Sequence, residues 1–385
     1  GTIMSLTIDI HALQSLPPSL INRDDTGAPK SAIFGGVPRQ RVSSQSWKRA
    51  IRKYFETTIQ DQPVGFRTKR VVDLVVSRIL ELDESGAWDE ERAAKETTGL
   101  FTTAGIKLAE PKAKKSKVKG EETEETQSTA AQTRYLLFLS PRQILHTAQA
   151  IIEADGAKIA KKQAKELLNS DHSVDIAMFG RMVADAPNYN VDASVQVAHA
   201  IGIHESEPEF DYFTAVDDLR EDELETGAGM IGTVQMMSST LYRFATVNFD
   251  LLTENLGDAE AARKATVAFV QAFIESLPTG KQNTFANNTL PELVYLVVRK
   301  SRSISLVNAF EEPVHGTNEE GRRQEGAHRL ADEAREIQEQ YGFVPEAAFV
   351  IGLGALRRPF EGLATETTLP ELGGLLSTAI TEGEK

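Results

Sequence analysis

Residues 39–56, with the sequence RQRVSSQSWKRAIRKYFE, most constrain how this chain can fold. Large apolar side chains recur there with the period of one helix face. They are Trp47, Ile51, Tyr54 and Phe55. Cations and one amide share another face, at spacings of three and four residues. They are Gln45, Lys48, Arg49 and Arg52. The segment predicts a helix, capped by Ser43 or Ser44, that packs on a core and carries positive charge outward.

The rest of the chain mixes strand and helix patterns. Apolar residues alternate over 6–16, which predicts a half-buried opening strand. Further strands are expected over 190–204, 233–252 and 346–356, and helices within 70–100 and over 258–277. Prolines, glycines and Asp24-Asp25 indicate a loop over 17–36. No internal repeat is visible. The mixture of strand and helix patterns favours an α+β fold.

Composition excludes several classes of protein. The chain has 385 residues, 25% of them charged and 41% hydrophobic, as in a globular protein of one large or two smaller domains. It has no cysteine, which excludes disulfides, thiol catalysis and cysteine zinc sites and suits the cytoplasm. We expect no membrane span and no secretory signal, because no long apolar run is present.

Charge is distributed unevenly. The net charge of −14 argues against a nucleic-acid binder, since phosphate contacts need lysine and arginine. Residues 23–53, however, hold eight bases against two acids, and residues 205–225 hold ten acids against one base. Such a chain can offer a basic groove to one partner and an acidic surface to another.

Residues 111–132 are rich in lysine and glutamate, with Val118 as their only branched apolar residue. Such a segment cannot bury a core, and we expect a mobile loop there.

The stretch GAGMIG, residues 227–232, has the glycine spacing of a dinucleotide-binding turn. That turn needs a buried strand before the glycines and a helix after them. The preceding residues are polar and acidic, and the following ones have a strand pattern. The glycines therefore indicate the return of a long excursion from the sheet, and we expect no bound nucleotide cofactor.

Few residues suggest catalysis or metal binding. His199 lies in an apolar strand pattern and is interpreted as a core histidine, and His204–Glu205 would bind a metal only with partners from elsewhere. Asp24–Asp25 is an acid pair in a basic neighbourhood that could hold Mg²⁺ near a phosphate. The simpler interpretation of that pair is a turn.

The strongest constellation spans residues 30–53. Serine hydroxyls, a glutamine amide, helix N-terminal amides and a row of cations converge in one loop–helix unit, and these are the donors that a nucleic-acid backbone takes. A solvated basic helix face is the alternative.

This constellation resembles the opening signature of the CasC family, the backbone (RAMP-type) subunit of the type I-E CRISPR Cascade complex. The matching residues are Ile21 to Asp25, Lys30 to Gly36 and Arg39 to Arg52. Blocks similar to the family follow in the same order at 174–182, 195–201, 211–219 and 238–248. The resemblance weakens after residue 310 and does not extend to 111–132.

The resemblance implies a modified RRM-like (ferredoxin-like) palm with a helical fingers insertion and a β-hairpin thumb. Carried onto this chain, the palm takes 1–60, 183–203 and 233–385, the fingers 61–182 and the thumb 204–232.

The resemblance also implies a function without catalysis or cofactor. Copies of the chain would polymerise along a CRISPR RNA, hold its phosphate backbone and kink it at intervals, which leaves it free to pair with target DNA. Partners would be the other Cascade subunits CasA, CasB, CasD and CasE. The implied RNA-binding residues are Arg23, Lys30, Arg41, Ser43, Gln45, Lys48, Arg49, Arg52, Met182, Phe213, Met230 and Ile231.

Two alternatives stay open. More distant backbone proteins of this fold cut RNA with an aspartate after the first strand, where Asp24 and Asp25 lie here. A self-assembling scaffold that meets no RNA is the other alternative.

Overall fold

The protein is described here from a computed structural model. The structure describes residues 5–58, 66–68, 71–106, 108–109, 132–133, 137–139, 141–169, 174–180, 191–214, 231–256, 259–316 and 321–385. The strands are β1 (Thr7–Ser19), β2 (Ser31–Phe34), β3 (Val37–Val42), β4 (Phe66–Thr68), β5 (Leu108–Ala109), β6 (Gln132–Thr133), β7 (Leu137–Leu139), β8 (Val195–Val197), β9 (Ala200–Gly202), β10 (Glu209–Thr214), β11 (Ile231–Asn248), β12 (Leu293–Arg299), β13 (Ala347–Gly352) and β14 (Thr365–Glu366). The helices are α1 (Ser44–Thr58), α2 (Val71–Leu82), α3 (Glu90–Thr103), α4 (Pro141–Ala154), α5 (Lys161–Asn169), α6 (Val174–Phe179), α7 (Phe249–Leu256), α8 (Ala259–Glu275), α9 (Gln282–Phe285), α10 (Gly321–Tyr341) and α11 (Leu369–Gly383).

The chain divides into two compact units. The first comprises Gly1–Phe55, Val195–Leu251 and Ala259–Lys385, and the second comprises Glu56–Ser194 and Leu252–Asp258. The boundaries of palm, fingers and thumb given above stay predictions. Within the described residues, no helix combines the length and apolar character needed to cross a bilayer.

A large, mostly antiparallel sheet forms the centre of the first unit. Its strand order is β14-β13-β12-β1-β11-β9-β3-β2, and β8 and β10 also pair with β11. Strands β13 and β14 form a parallel pair in this sheet. A mixture of helices with such a sheet confirms the coarse α+β prediction.

The opening strand was expected to be half-buried, and that expectation is wrong. Every residue of β1 from Thr7 to Gln14 is buried, and β1 lies between β11 and β12 in the interior of the sheet. Its polar residues therefore need partners inside the protein. Asp9 forms an ion pair with Arg299 at 3.1 Å and accepts the Thr246 hydroxyl at 2.8 Å. Desolvation nevertheless raises the pKa of Asp9.

The two faces of the sheet carry different cores. Tyr242 and Arg243 are neighbours on β11, and alternation sends their side chains to opposite faces. Tyr242 packs with Leu13 and with Leu330 of α10 in one cluster. Arg243 points to the other face, toward Trp47 of α1 and Phe273 of α8.

The second unit is mainly helical. Its core is formed by apolar faces of α2, α3, α4 and α5, which include Val75, Phe101, Ile151 and Leu168. The helix over 71–82 confirms the prediction made for that segment. The predicted mobile loop at 111–132 lies outside the described residues except for Gln132.

Other expectations are met unevenly. The helix over 258–277 is confirmed by α8. The strand over 233–252 is confirmed by β11 up to Asn248, but its last four residues belong to α7. The segment 17–36 was predicted to be loop, but Ser31–Phe34 forms a strand that pairs with β3 through a turn at Gly35-Gly36. Both glycines have positive φ, 59° and 80°, which glycine adopts without strain.

The strand predicted over 190–204 is interrupted between β8 and β9, at residues 198 and 199.

A buried cation fixes α1 on the sheet. The Arg243 guanidinium carbon lies 3.6 Å from the centroid of the Trp47 ring and 4.1 Å from that of Phe273. Its Nη1–H donates to Gln14 Oε1 at 2.8 Å, and its Nη2–H donates to the Phe273 carbonyl at 2.7 Å. Burial lowers the pKa of Arg243 to about 9. Ring faces and oxygens thus take the place of the water that this cation gave up.

We expect Arg243→Ala to destabilise the first unit by about 3–5 kcal/mol, because it opens a cavity between two rings and leaves two buried oxygens without donors. Urea unfolding followed by tryptophan fluorescence would measure this loss in a Trp88→Phe background, where Trp47 is the sole tryptophan. Arg49→Ala is the control, since Arg49 is exposed on the same helix. Equal midpoints for the two variants would contradict the role of Arg243.

His204 joins the end of β9 to β11. Its Nε2 accepts the Thr240 N–H at 3.1 Å and its Nδ1–H donates to the Glu205 carbonyl at 2.7 Å. Both ring nitrogens are therefore engaged, which leaves the considered His204–Glu205 metal site without support. Burial lowers the pKa of His204 to about 4, and the charges of Arg322 and Arg39 act in the same direction.

We expect stability to fall as the pH drops from about 6.5 toward 4, because the unfolded chain takes up a proton at His204 that the folded chain excludes. The free energy of unfolding loses at most about 1.4 kcal/mol per pH unit from this group. Melting temperatures of wild type and His204→Gln across this range would test it. Identical pH dependence in the two proteins would contradict this role.

Candidate anion-binding site at the start of α1

Strand register brings three separate segments to the start of α1. The Arg41 N–H donates to the Lys30 carbonyl at 2.9 Å, which places these two cations side by side. On its other edge β3 pairs with β9, and Val42 lies opposite Ala200. One step further along this antiparallel register, the first residues of α1 meet His199.

Ser43 caps α1 and is itself buried. Its hydroxyl accepts the Ser46 N–H at 3.3 Å, and its own N–H donates to Asn22 Oδ1 at 2.8 Å. The predicted cap is therefore observed. A contact between Ser43 and RNA stays a prediction, and it would use a hydroxyl that already caps the helix.

The two predicted faces of α1 are present. Trp47, Ile51 and Phe55 are buried. On the other face the side chains reach solvent to different degrees: Gln45 and Arg49 are exposed, and Lys48 and Arg52 are half-buried. The helix thus divides a core-facing stripe from a row of positive charge, as the periodicity predicted.

His199 was interpreted as a core histidine, and that interpretation is wrong. The residue is exposed in the break between β8 and β9. Its Nδ1 lies 3.3 Å from the Ser44 N–H nitrogen and 3.5 Å from Arg41 Nη1. Desolvation lowers the pKa of His199, and the charges of Arg41, Lys30 and Lys48 lower it further. A short break in a strand pattern gives no sign of such exposure, since alternation alone predicts a buried position.

Arg39 does not contribute to the basic surface. It is fully buried and donates to the carbonyls of Gly202, Phe310 and Glu311 at 2.9–3.0 Å. Desolvation lowers its pKa. One of the eight bases counted in the segment is therefore structural.

Arg23 and Asp24 lie in an exposed turn before β2. Asp24 Oδ1 accepts the Thr26 N–H at 2.9 Å, the Thr26 hydroxyl at 2.7 Å and the Ala28 N–H at 3.0 Å. The Thr26 hydroxyl is the largest cause that lowers the pKa of Asp24. In the part of the chain that the structure describes, no cluster of three histidine or carboxylate residues could hold a metal ion.

Two of the other implied RNA contacts, Phe213 and Ile231, lie in the hairpin formed by β10 and β11. Phe213 is opposite Gly232 and Ile231 is opposite Thr214, where β10 pairs with β11. Met182 and Met230 lie outside the described residues, as do Gly227 and Gly229. The strand that begins at Ile231 confirms that no helix follows GAGMIG.

Two exposed aromatic side chains on β10 were not identified from the sequence. Phe210 is 59% exposed and Tyr212 is 73% exposed. They alternate with Glu209 and Asp211, and that alternation is visible in the acidic segment. The alternation of aromatic and acidic residues is therefore the sequence signal that predicts this exposed pair.

The chemistry of the site at the start of α1 is that of anion binding. Ammonium, guanidinium, imidazole and backbone amide N–H groups lie close together in space at this site. These groups hold phosphate oxygens through charge-assisted hydrogen bonds. The aligned N–H groups of a helix N-terminus favour the same charge.

The chain is similar to a known protein family and to chains of known structure. A family model described as "CT1975-like protein" matches residues 8–374. A solved chain described as "CRISPR RNA-guided surveillance complex, pre-nicking" is 33% identical, with 97% of this chain and 100% of that chain covered and a TM-score of 0.78. Another, described as "CRISPR RNA-guided surveillance complex", is 30% identical, with 97% and 99% covered and a TM-score of 0.69. No curated protein sequence matches this one.

Substitution of Asp24 separates a turn role from a metal role. We expect Asp24→Ala to lower the melting temperature slightly, because three donors lose their acceptor. Asp24→Asn keeps an oxygen at that place and should match the wild type. Melting curves with and without Mg²⁺ would measure both effects. Stabilisation of wild type by Mg²⁺ that is lost in Asp24→Asn would contradict the turn role.

Proposed function

The chain belongs to the CT1975-like protein family, and on that basis we propose that it is a component of a CRISPR RNA-guided surveillance complex that binds the guide RNA. The match over residues 8–374 and the likeness to chains of such complexes support membership of the assembly. The binding role needs its own support from the residues.

The observation that carries this role is the cluster of cations at the start of α1. Lys30, Arg41, Lys48 and Arg52 lie in one loop–helix unit of a chain whose net charge is −14. Electrostatic attraction to a phosphate backbone needs local cations, whatever the charge of the whole protein. These contacts position a strand and leave its bases unread.

In finer terms, we propose a backbone subunit of the CasC type in a type I-E Cascade. Several copies would assemble head-to-tail along one CRISPR RNA through a heterologous interface, beside CasA, CasB, CasD and CasE. The sheet of the first unit and α1 would form an RRM-like palm. The helical second unit would correspond to the fingers, and the β10–β11 hairpin to the base of the thumb.

The thumb would displace bases at intervals. Phe210 and Tyr212 support this role, because exposed aromatic faces stack on unpaired bases. Phe213 and Ile231 belong to the same hairpin, and together with Met182 and Met230 they would add apolar contacts. The bases between the displaced ones would then pair with target DNA.

We propose that the chain is not an enzyme. The competing proposal of RNA cleavage through Asp24 or Asp25 has less support, because Asp24 Oδ1 is committed to three donors within its own turn. The Asp24 variants described above would revive it if they removed a Mg²⁺-dependent effect.

The role of α1 predicts salt-dependent RNA binding. Fluorescence anisotropy with single-stranded RNA should show affinity that falls linearly in log salt, and four phosphate contacts would give a slope of about −3. Lys48→Glu/Arg52→Glu should lose most of the binding, because it reverses two charges on the proposed RNA-facing side.

The matched control is Lys264→Glu/Lys385→Glu, which changes net charge equally at exposed positions away from α1. Binding lost only in the α1 variant supports the site. Equal loss of RNA affinity in both variants would show that binding depends only on the net charge of the protein. Wild-type protein that binds no RNA yet forms filaments would favour the scaffold alternative.

A further inference from the structure

His199 occupies the centre of the cationic cluster, where the family resemblance assigned it no role. The groups around it come from three segments: Lys30 precedes β2, Arg41 is the last residue but one of β3, and Ser44 and Lys48 belong to α1. We propose that His199 contacts a backbone phosphate of the bound RNA and takes up a proton when that phosphate arrives. This inference rests on the proposed function, and it adds a proton-linked residue to it.

The hydrogen bonds define the state of His199 without RNA. Its Nδ1 is approached by two donors, the Ser44 N–H at 3.3 Å and Arg41 Nη1 at 3.5 Å. A nitrogen that accepts cannot carry a proton, so the neutral ring holds its proton on Nε2. The imidazole therefore acts as an internal acceptor for two donors of the site.

A phosphate would reverse this arrangement. A phosphate oxygen accepts from the Ser44 N–H and from Arg41 better than a neutral imidazole nitrogen does, because it is charged. Once the phosphate replaces Nδ1 as the acceptor for these two donors, Nδ1 can take up a proton. The protonated ring can then donate an N–H to the same phosphate, and no atom other than the proton is transferred.

Electrostatics favours the same change. In the free protein, desolvation and the three cations hold the pKa of His199 below its ordinary value. A phosphate brings negative charge into that cluster and favours the imidazolium, so the pKa rises on binding. Binding then consumes a proton wherever the pH lies between the two pKa values, and affinity increases as the pH falls through that interval.

The Ser44 N–H is the second component of this linkage. It belongs to the first turn of α1, a 15-residue helix whose N-terminal amides favour anions. In the free protein His199 covers this donor. Protonation releases it, so that RNA gains an amide and an imidazolium contact in one step.

The test is RNA affinity as a function of pH. Anisotropy with a single-stranded RNA of about 12 nucleotides, a length within the range that single-strand-binding OB folds cover, would be measured from pH 8 to pH 5.5. Between pH 7.5 and 6.0 we expect wild-type affinity to rise by about threefold to tenfold, since one linked proton gives at most a tenfold change per pH unit. His199→Gln keeps a polar side chain without a titrating group, and its affinity should change by less than about twofold.

Two controls make the result specific. His315→Gln removes another exposed histidine, and it should retain the wild-type pH dependence. NMR of the His199 ring in the folded protein would give its pKa directly, and this pKa should rise when RNA is added. A pKa unchanged by RNA, or equal pH dependence in wild type and His199→Gln, would overturn the proposal.

Failure of this inference differs from failure of the proposed function. If RNA binds with the expected salt dependence but His199→Gln behaves as wild type, the guide-binding role stands and the proton linkage falls. If neither protein binds RNA at any pH while both melt normally, the proposed function itself fails.

Discussion

The desolvated charge of Arg243 fixes the geometry on which the candidate site depends. A buried guanidinium needs compensation, and here it comes from two ring faces, a side-chain amide and a carbonyl. One of those rings is Trp47, on the apolar stripe of α1. The cation thus holds the helix in one rotation about its axis, and that rotation leaves the half-buried Lys48 and Arg52 at the flank of the apolar stripe. A purely apolar contact would specify that rotation less sharply, because hydrophobic attraction has no direction.

The register of the sheet adds residues from other segments to the site at the start of α1. Lys30, Arg41 and His199 are far apart along the chain, and they meet because β3 pairs with β2 on one edge and with β9 on the other. The Gly35-Gly36 turn sets the first pairing. A side chain at Gly35 would meet the Glu311 carbonyl, since a Cβ placed there would lie only 1.7 Å from its oxygen. The turn is therefore packed closely against the rest of the first unit. This packing restricts movement of the strands that carry the site.

Sequence reasoning identified α1, its cap and its basic face because all three follow from local periodicity. It missed His199 because exposure there depends on a break between two strands and on a pairing more than 150 residues away in sequence. It also took β1 as half-buried, because buried Asp9 and Gln14 look like solvent-facing residues until their partners Arg299 and Arg243 are known. Arg39 was counted as surface charge for the same reason. These three errors all concern polar residues whose partners come from distant segments.

The site stores unfavourable electrostatics that a ligand can relieve. Among the described residues, the charges that act on His199 are three cations and no carboxylate. These cations and desolvation disfavour the protonated form of His199 in the free protein, while the buried face of α1 stabilises the helix through Trp47, Ile51 and Phe55. A bound phosphate counters the charge of these cations, so ligand binding and folding stabilise each other. Acidic residues elsewhere keep the overall charge negative, which limits attraction to nucleic acid to the surface where the cations are concentrated.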